Sequence, residues 1–110
     1  MEIYQVEITK YAKRQIKDIA KYVKIKLKNP DAAKKLLNDL QTSILSLKDM
    51  PHRFSLTDEE PWYSEEIRKM PVKNYLVYFW IDEIKKIVYI TAVIYSLREQ
   101  KRQLFKMKME

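Results

Sequence analysis

Residues 67–95 read IRKMPVKNYLVYFWIDEIKKIVYITAVIY, and the interpretation of this stretch decides the fold. Three runs, Ile67–Met70, Tyr75–Ile81 and Ile87–Tyr95, are rich in β-branched and aromatic residues and are joined by short polar turns, a pattern that predicts three strands. Connections this short cannot reverse a parallel pair, so the three strands form an antiparallel meander. In the middle run Tyr75, Val77, Phe79 and Ile81 alternate with Leu76, Tyr78 and Trp80. Both faces are therefore apolar, which marks a central strand covered on both sides.

Upstream, the pattern changes period twice. Tyr4, Val6 and Ile8 alternate with Gln5 and Glu7, predicting a strand over residues 2–9. Thr9 then stands where a helix cap belongs, and Ala12, Ile16, Ile19, Val23 and Leu27 recur at helical spacing, so a first helix runs to about Leu27. Asn29, Pro30 and Asp31 supply a cap, a proline at the first helical position and an acid in the first turn of a second helix. Its apolar face is Ala33, Leu36, Leu37, Leu40, Ile44 and Leu47, and Met50-Pro51 closes it. Two helices joined this closely pack as an antiparallel hairpin. His52 to Glu66 is polar, flanked by Pro51 and containing Pro61, and reads as a mobile loop. Leu97, Leu104 and Phe105 mark a short C-terminal helix. The expectation is one α+β domain over residues 1–110, in the order β-α-α-β-β-β, with a mainly antiparallel sheet and the hairpin on one face.

Composition narrows the chemistry. The 110 residues include no Cys and no Gly. The first absence excludes disulfides, thiolate metal sites and a thiol nucleophile, and suits a reducing cytoplasm. The second argues against glycine-rich phosphate cradles, which need positive φ and close backbone approach. No segment approaches ~18 consecutive apolar residues, and the first residues lack the basic-then-apolar order of an export signal. With one His and no Cys, neither a metal site nor a cofactor is expected. His52 itself reads as an incidental loop residue.

The formal charge is +7, and it is unevenly placed: residues 10–28 carry +7 and residues 29–66 carry −4. Lys10, Arg14, Lys17, Lys21, Lys24 and Lys28 recur at spacings of three and four, opposite the apolar stripe of the first helix. Like charges at such spacing cost roughly 0.2–0.5 kcal/mol per pair, so an unrelieved ridge points to an anionic partner, either a phosphate backbone or an acidic protein surface.

Several local motifs, in this order and spacing, resemble the RelE/ParE family of bacterial toxins. They are Thr9-x-x-Ala12, Asn29-Pro30-x-Ala32-Ala33, Leu47-x-x-Met50-Pro51, Ile67-Arg68-Lys69, Asn74-Tyr75-Leu76-Val77-Tyr78 running into Ile81-Asp82, and Val93-Ile94-Tyr95 followed by Arg98-Glu99. The resemblance covers almost the whole chain. It implies a cytoplasmic toxin of a type II toxin–antitoxin module, held inactive by a cognate acidic antitoxin. Its target would be the ribosome and its mRNA, cleaved without a metal, or alternatively DNA gyrase, poisoned without catalysis.

RNA cleavage of this kind needs a base for the 2′-OH, cations for the charge developing on phosphorus and an acid for the leaving oxygen. The resemblance places Arg68 and Lys69 among the basic catalytic positions, with Arg98 completing a phosphate clamp and Tyr95 offering a phenol or a stacking ring. The basic ridge would contact RNA or the ribosome. Two departures favour the gyrase alternative: Leu76 stands where RNA-cleaving members often have Arg, and no His or Tyr follows Arg98.

Overall fold

The structure is a computed structural model that describes residues 3–58 and 60–96. It comprises β1 (Gln5–Ile8), α1 (Lys10–Lys21), a π-helical turn (Tyr22–Lys26), α2 (Pro30–Leu45), two 3-10 turns (Ser46–Lys48 and Pro51–Arg53), and β2 (Arg68–Val72), β3 (Tyr75–Asp82) and β4 (Ile87–Tyr95). The expected terminal helix lies outside the described residues. The four strands form one sheet in the order β1-β4-β3-β2. β2, β3 and β4 make the antiparallel meander, and β1 joins it parallel to β4, with Val6 opposite Val88 and Ile8 opposite Ile90.

Local chemistry sets the helix ends. Thr9 Oγ1 accepts the Ala12 N–H at 3.2 Å and Asn29 Oδ1 accepts the Ala32 N–H at 3.1 Å, so each helix has the side-chain cap read from the sequence. The hairpin covers one face of the sheet. Ala12, Leu40, Ile44 and Leu47 meet Met70, Val72, Val77, Phe79, Val88, Ile90 and Val93 in a single core, with Ile16, Ile19 and Leu36 at its margin. Each fully buried Leu or Ile there contributes about 1.5–3 kcal/mol relative to exposure. The opposite face carries a smaller cluster of Trp62, Ile67, Tyr78, Ala92 and Ile94, flanked by Tyr11, Leu76 and Trp80. The middle strand is thus covered on both sides, as its composition predicts.

Four details differ from the sequence reading. The first strand is shorter than residues 2–9, because Ile3 bridges Asp49 and the Tyr4 N–H donates to the Lys48 carbonyl, away from the sheet. The π-turn inserts extra backbone into the end of the first helix, with the Leu27 N–H reaching back to the Tyr22 carbonyl at 3.3 Å. That wider turn rotates Leu27 off the core stripe, and it is 58% exposed. Leu37 likewise faces outward from the second helix. The segment expected to be a mobile loop is instead pinned to the sheet. The Thr57 N–H donates to the Ile67 carbonyl at 2.8 Å, the Lys69 N–H to the Ser55 carbonyl at 3.1 Å, and Trp62 is buried. Residues 55–57 thereby cap part of the outer edge of β2, and Pro71, further along that strand, lacks an N–H to offer a foreign strand.

The turns show how a chain without glycine makes tight reversals. Lys28, Met50, Glu66, Lys73 and Lys86 all adopt positive φ, between 49° and 58°. At Met50 the geometry is braced from the side: Arg53 Nη1 donates to the Met50 carbonyl at 3.3 Å and Nη2 to Ser46 Oγ at 3.0 Å.

Candidate functional site

Arg68 and Lys69 are consecutive in β2, so the strand pleat sends their side chains to opposite faces. Arg68 is opposite Phe79, which belongs to the hairpin-side core, and Lys69 is opposite Tyr78, which belongs to the cluster on the other face. The guanidinium of Arg68 is engaged: Nη1 donates to the Phe54 carbonyl at 2.7 Å and to the His52 carbonyl at 3.4 Å. It fastens the turn that follows the second helix to the sheet.

Tyr95 lies at the far end of the sheet. It is opposite Tyr75 in the β3–β4 register, whereas Arg68 is opposite Phe79. Four residues of β3 span about 13 Å, and two strand spacings add about 9–10 Å sideways. Arg68 and Tyr95 therefore do not converge on one phosphate group. Tyr95 is 43% exposed and its ring meets that of Tyr75 edge to face at 5.5 Å. Burial, reinforced by the neighbouring Tyr95 and Tyr22 phenols, pushes the Tyr75 phenol above its ordinary range. Leu76, the departure noted in the sequence, packs at the margin of the Trp62 cluster. Arg98 lies outside the described residues.

The six ridge residues, Lys10, Arg14, Lys17, Lys21, Lys24 and Lys28, are all exposed. Lys10, Arg14, Lys17 and Lys21 lie on α1, Lys24 in the π-helical turn and Lys28 just beyond it.

A cluster that sequence reasoning missed surrounds His52. His52 Nε2 lies 2.6 Å from Glu83 Oε1, and because a carboxylate only accepts, Nε2 carries the hydrogen. Tyr4 donates its hydroxyl hydrogen to Glu83 Oε2 at 3.4 Å, and Lys86 Nζ stands 3.9 Å from the same oxygen while lying over the Tyr4 ring. His52, Glu83, Arg68, Glu66 and Ile81 line a cleft of about 150 Å³. His52 and Glu83 are 31 positions apart, on a 3-10 turn and in the β3–β4 turn, so no local motif announces the pair. Among the described residues no group of three or more His, Cys, Asp or Glu is placed to hold a metal ion, and no helix is long and apolar enough to cross a membrane.

Comparison with known proteins identifies the family. The family model described as ParE toxin of type II toxin-antitoxin system, parDE, matches residues 6–99. This chain belongs to that toxin family. No curated protein matches it significantly in sequence. Among solved structures, the chromosomal ParDE toxin–antitoxin system from P. aeruginosa superposes with a TM-score of 0.71 at 15% identity, covering 86% of this chain and 98% of that one. The RelBE2 toxin–antitoxin complex from Mycobacterium tuberculosis gives a TM-score of 0.65 at 16% identity, covering 86% and 99%. A doubly substituted RelE toxin from E. coli in the free state gives 0.57 at 10% identity, covering 94% and 92%. At these identities the superpositions speak for the fold.

Proposed function

We propose that this toxin acts by binding, as a non-catalytic inhibitor of DNA gyrase released when its acidic antitoxin is lost. The observation that carries this reading is the dispersal of the basic positions that RNA cleavage would need to bring together. Arg68 and Lys69 face opposite sides of the sheet, Arg68 is committed to two backbone carbonyls, and Tyr95 sits at the other end. Leu76 in the smaller apolar cluster and the match to the ParE family point the same way. Action in the cytoplasm, where gyrase is found, accords with the cysteine-free composition.

A second reading, ribosome-dependent mRNA cleavage, draws on the His52–Glu83 pair beside Arg68 and on the basic ridge. A histidine held in one tautomer by a carboxylate has a free Nδ1 lone pair suited to a general base. Pulse labelling after induction separates the two. Early loss of DNA synthesis, with inhibition of supercoiling by purified protein, is the expected result. Early loss of protein synthesis with cuts in a translated message would replace the gyrase reading with the nuclease one.

A further inference from the structure

Where β3 outruns β2, the sheet leaves a cleft that neither target reading uses. β2 begins at Arg68, opposite Phe79, whereas β3 continues to Asp82, so the last residues of β3 have no β2 partner. The turn before β2 fills that gap incompletely. Ser64, Glu65, Glu66 and Ile67 on one side and Trp80 and Ile81 on the other line an open cleft of about 390 Å³, within the range of about 300–1,000 Å³ usual for small-molecule sites. Both walls are held in place. Trp80 is half-buried, and its indole stacks on the Tyr89 ring with centroids 4.9 Å apart and 23° between the planes. In the turn, the Ser64 N–H and hydroxyl both donate to Glu60 Oε2, at 3.2 and 2.6 Å, and the Ile67 N–H donates to the Trp62 carbonyl at 2.9 Å. Glu60 is thereby engaged, while the exposed carboxylates of Glu65 and Glu66 have no hydrogen-bond or ion-pair partner among the described residues. Arg68, which lines the neighbouring His52 cleft together with Glu66, directs its guanidinium to the Phe54 carbonyl instead.

We propose that this cleft receives a guanidinium group on an alkyl stem, the chemistry of an arginine side chain. An aromatic wall facing unpaired carboxylates suits a cation that is flat. A guanidinium lies against an aromatic ring and still has its edge N–H groups free to donate in pairs to a carboxylate. Half-buried Ile81 offers apolar surface to the methylenes of the stem. An ammonium is compact and strongly hydrated, and it gains less from a flat wall. A divalent cation lacks ligands, because among the described residues no group of three or more His, Cys, Asp or Glu is placed to hold one. A phosphate, free or in a nucleic acid, would meet two unpaired negative charges at a Coulombic cost. The inference is independent of whether gyrase or the ribosome is poisoned.

The test titrates the full chain, labelled with nitrogen-15, with arginine blocked at both ends as Nα-acetyl-arginine N-methylamide, and follows the Trp80 indole N–H and the backbone amides of residues 64–67 by NMR. The blocked citrulline analogue, which has the same shape without the charge, and the blocked lysine analogue are the controls. Saturable shifts confined to the cleft are expected with arginine, and binding at least tenfold weaker, about 1.4 kcal/mol, with citrulline. Lysine should fall between them. Glu65→Gln/Glu66→Gln should weaken arginine binding at least tenfold with an unchanged thermal midpoint, because both side chains are exposed and unpaired. Trp80→Leu should weaken it as well, read from the amides of residues 64–67. Agmatine, a free guanidine without a peptide backbone, separates the sources: tighter binding of the blocked residue assigns the cleft to a polypeptide, tighter binding of agmatine to a free small molecule, and either result upholds a guanidinium site. Absence of a saturable shift overturns the proposal. So does equal binding of citrulline or lysine, or binding indifferent to Glu65→Gln/Glu66→Gln.

Discussion

Gln15 Oε1 on α1 accepts the Val93 N–H of β4 at 2.8 Å, closing the edge of β4 beyond the point where β1 stops. The last parallel pair is Ile8 with Ile90, and the Thr9 N–H still reaches the Ile90 carbonyl at 3.0 Å. After that the chain turns into the helix, and one glutamine takes the place of a further strand residue. Gln15→Leu keeps the volume but leaves a buried N–H unpaired, which typically costs about 1–3 kcal/mol. Urea denaturation should show that loss, and an unchanged midpoint would mean that another acceptor satisfies Val93.

Glycine should help where lysine now occupies the left-handed region. An L-residue there costs roughly 1–2 kcal/mol, partly offset by glycine's larger entropy in the unfolded chain. Lys28→Gly, at φ 51°, should raise stability by about 0.5–1 kcal/mol, visible as an upward shift of the thermal midpoint. Lys73→Gly should gain less, because Lys73 Nζ also stands 3.3 Å from Asp39 Oδ2 and that half-exposed ion pair is lost. Equal gains at both positions would show that the pair contributes nothing.

Arg68 and Lys69 should separate in mutagenesis. Arg68→Ala removes the charged donor of the Phe54 and His52 carbonyls, a loss of about 1.5–3 kcal/mol in denaturation. Lys69→Ala should cost under about 1 kcal/mol, since its hydrogen bond to Ser55 is made by the backbone. Growth assays should therefore be read beside a melting curve for Arg68→Ala, whereas a loss of toxicity in Lys69→Ala reports on the target contact directly.

Tyr75 should titrate above the ordinary tyrosine range. Its folded pKa is raised above the unfolded value, so its contribution to stability is intact below the unfolded tyrosine range and is lost as pH rises through the folded pKa. Phenolate absorbance against pH should lose a component above the ordinary tyrosine range in Tyr75→Phe, and that variant should withstand alkaline pH better than the wild type. A Tyr75→Phe curve that differs from the wild type only within the ordinary tyrosine range would show that burial does not raise this phenol.

Much of the fold was legible because side-chain periodicity encodes burial. The alternation around Tyr75–Ile81 announces a strand with two covered faces, and the helical spacing of Ala12, Ile16 and Ile19 announces one covered face. What stayed hidden was written in the backbone or in distant pairs. The pairing of residues 55–57 with β2 uses main-chain groups that every residue carries, so the polar composition of that segment gives no sign of it. The π-turn is a change of helical pitch with no residue signature, and it reverses the sense of Leu27. At the site, the ridge was readable as a simple spacing, but the opposite facing of Arg68 and Lys69 follows only once they are known to share a regular strand. His52 and Glu83 meet solely because the turn after α2 and the β3–β4 turn fold to the same end of the sheet.

The placement of β4 between β1 and β3 has a consequence for the toxin's birth. Contacts such as Val6 with Val88 close a loop of about 80 residues, at an entropic cost of about 4 kcal/mol before any contact is counted. Until Ile87–Tyr95 has left the exit tunnel, the hairpin has only an incomplete sheet to pack on, and β1 has no strand beside it. The fold is therefore assembled only once its fourth strand is available, and the segments made earlier hold neither the complete sheet nor the core on which the hairpin packs.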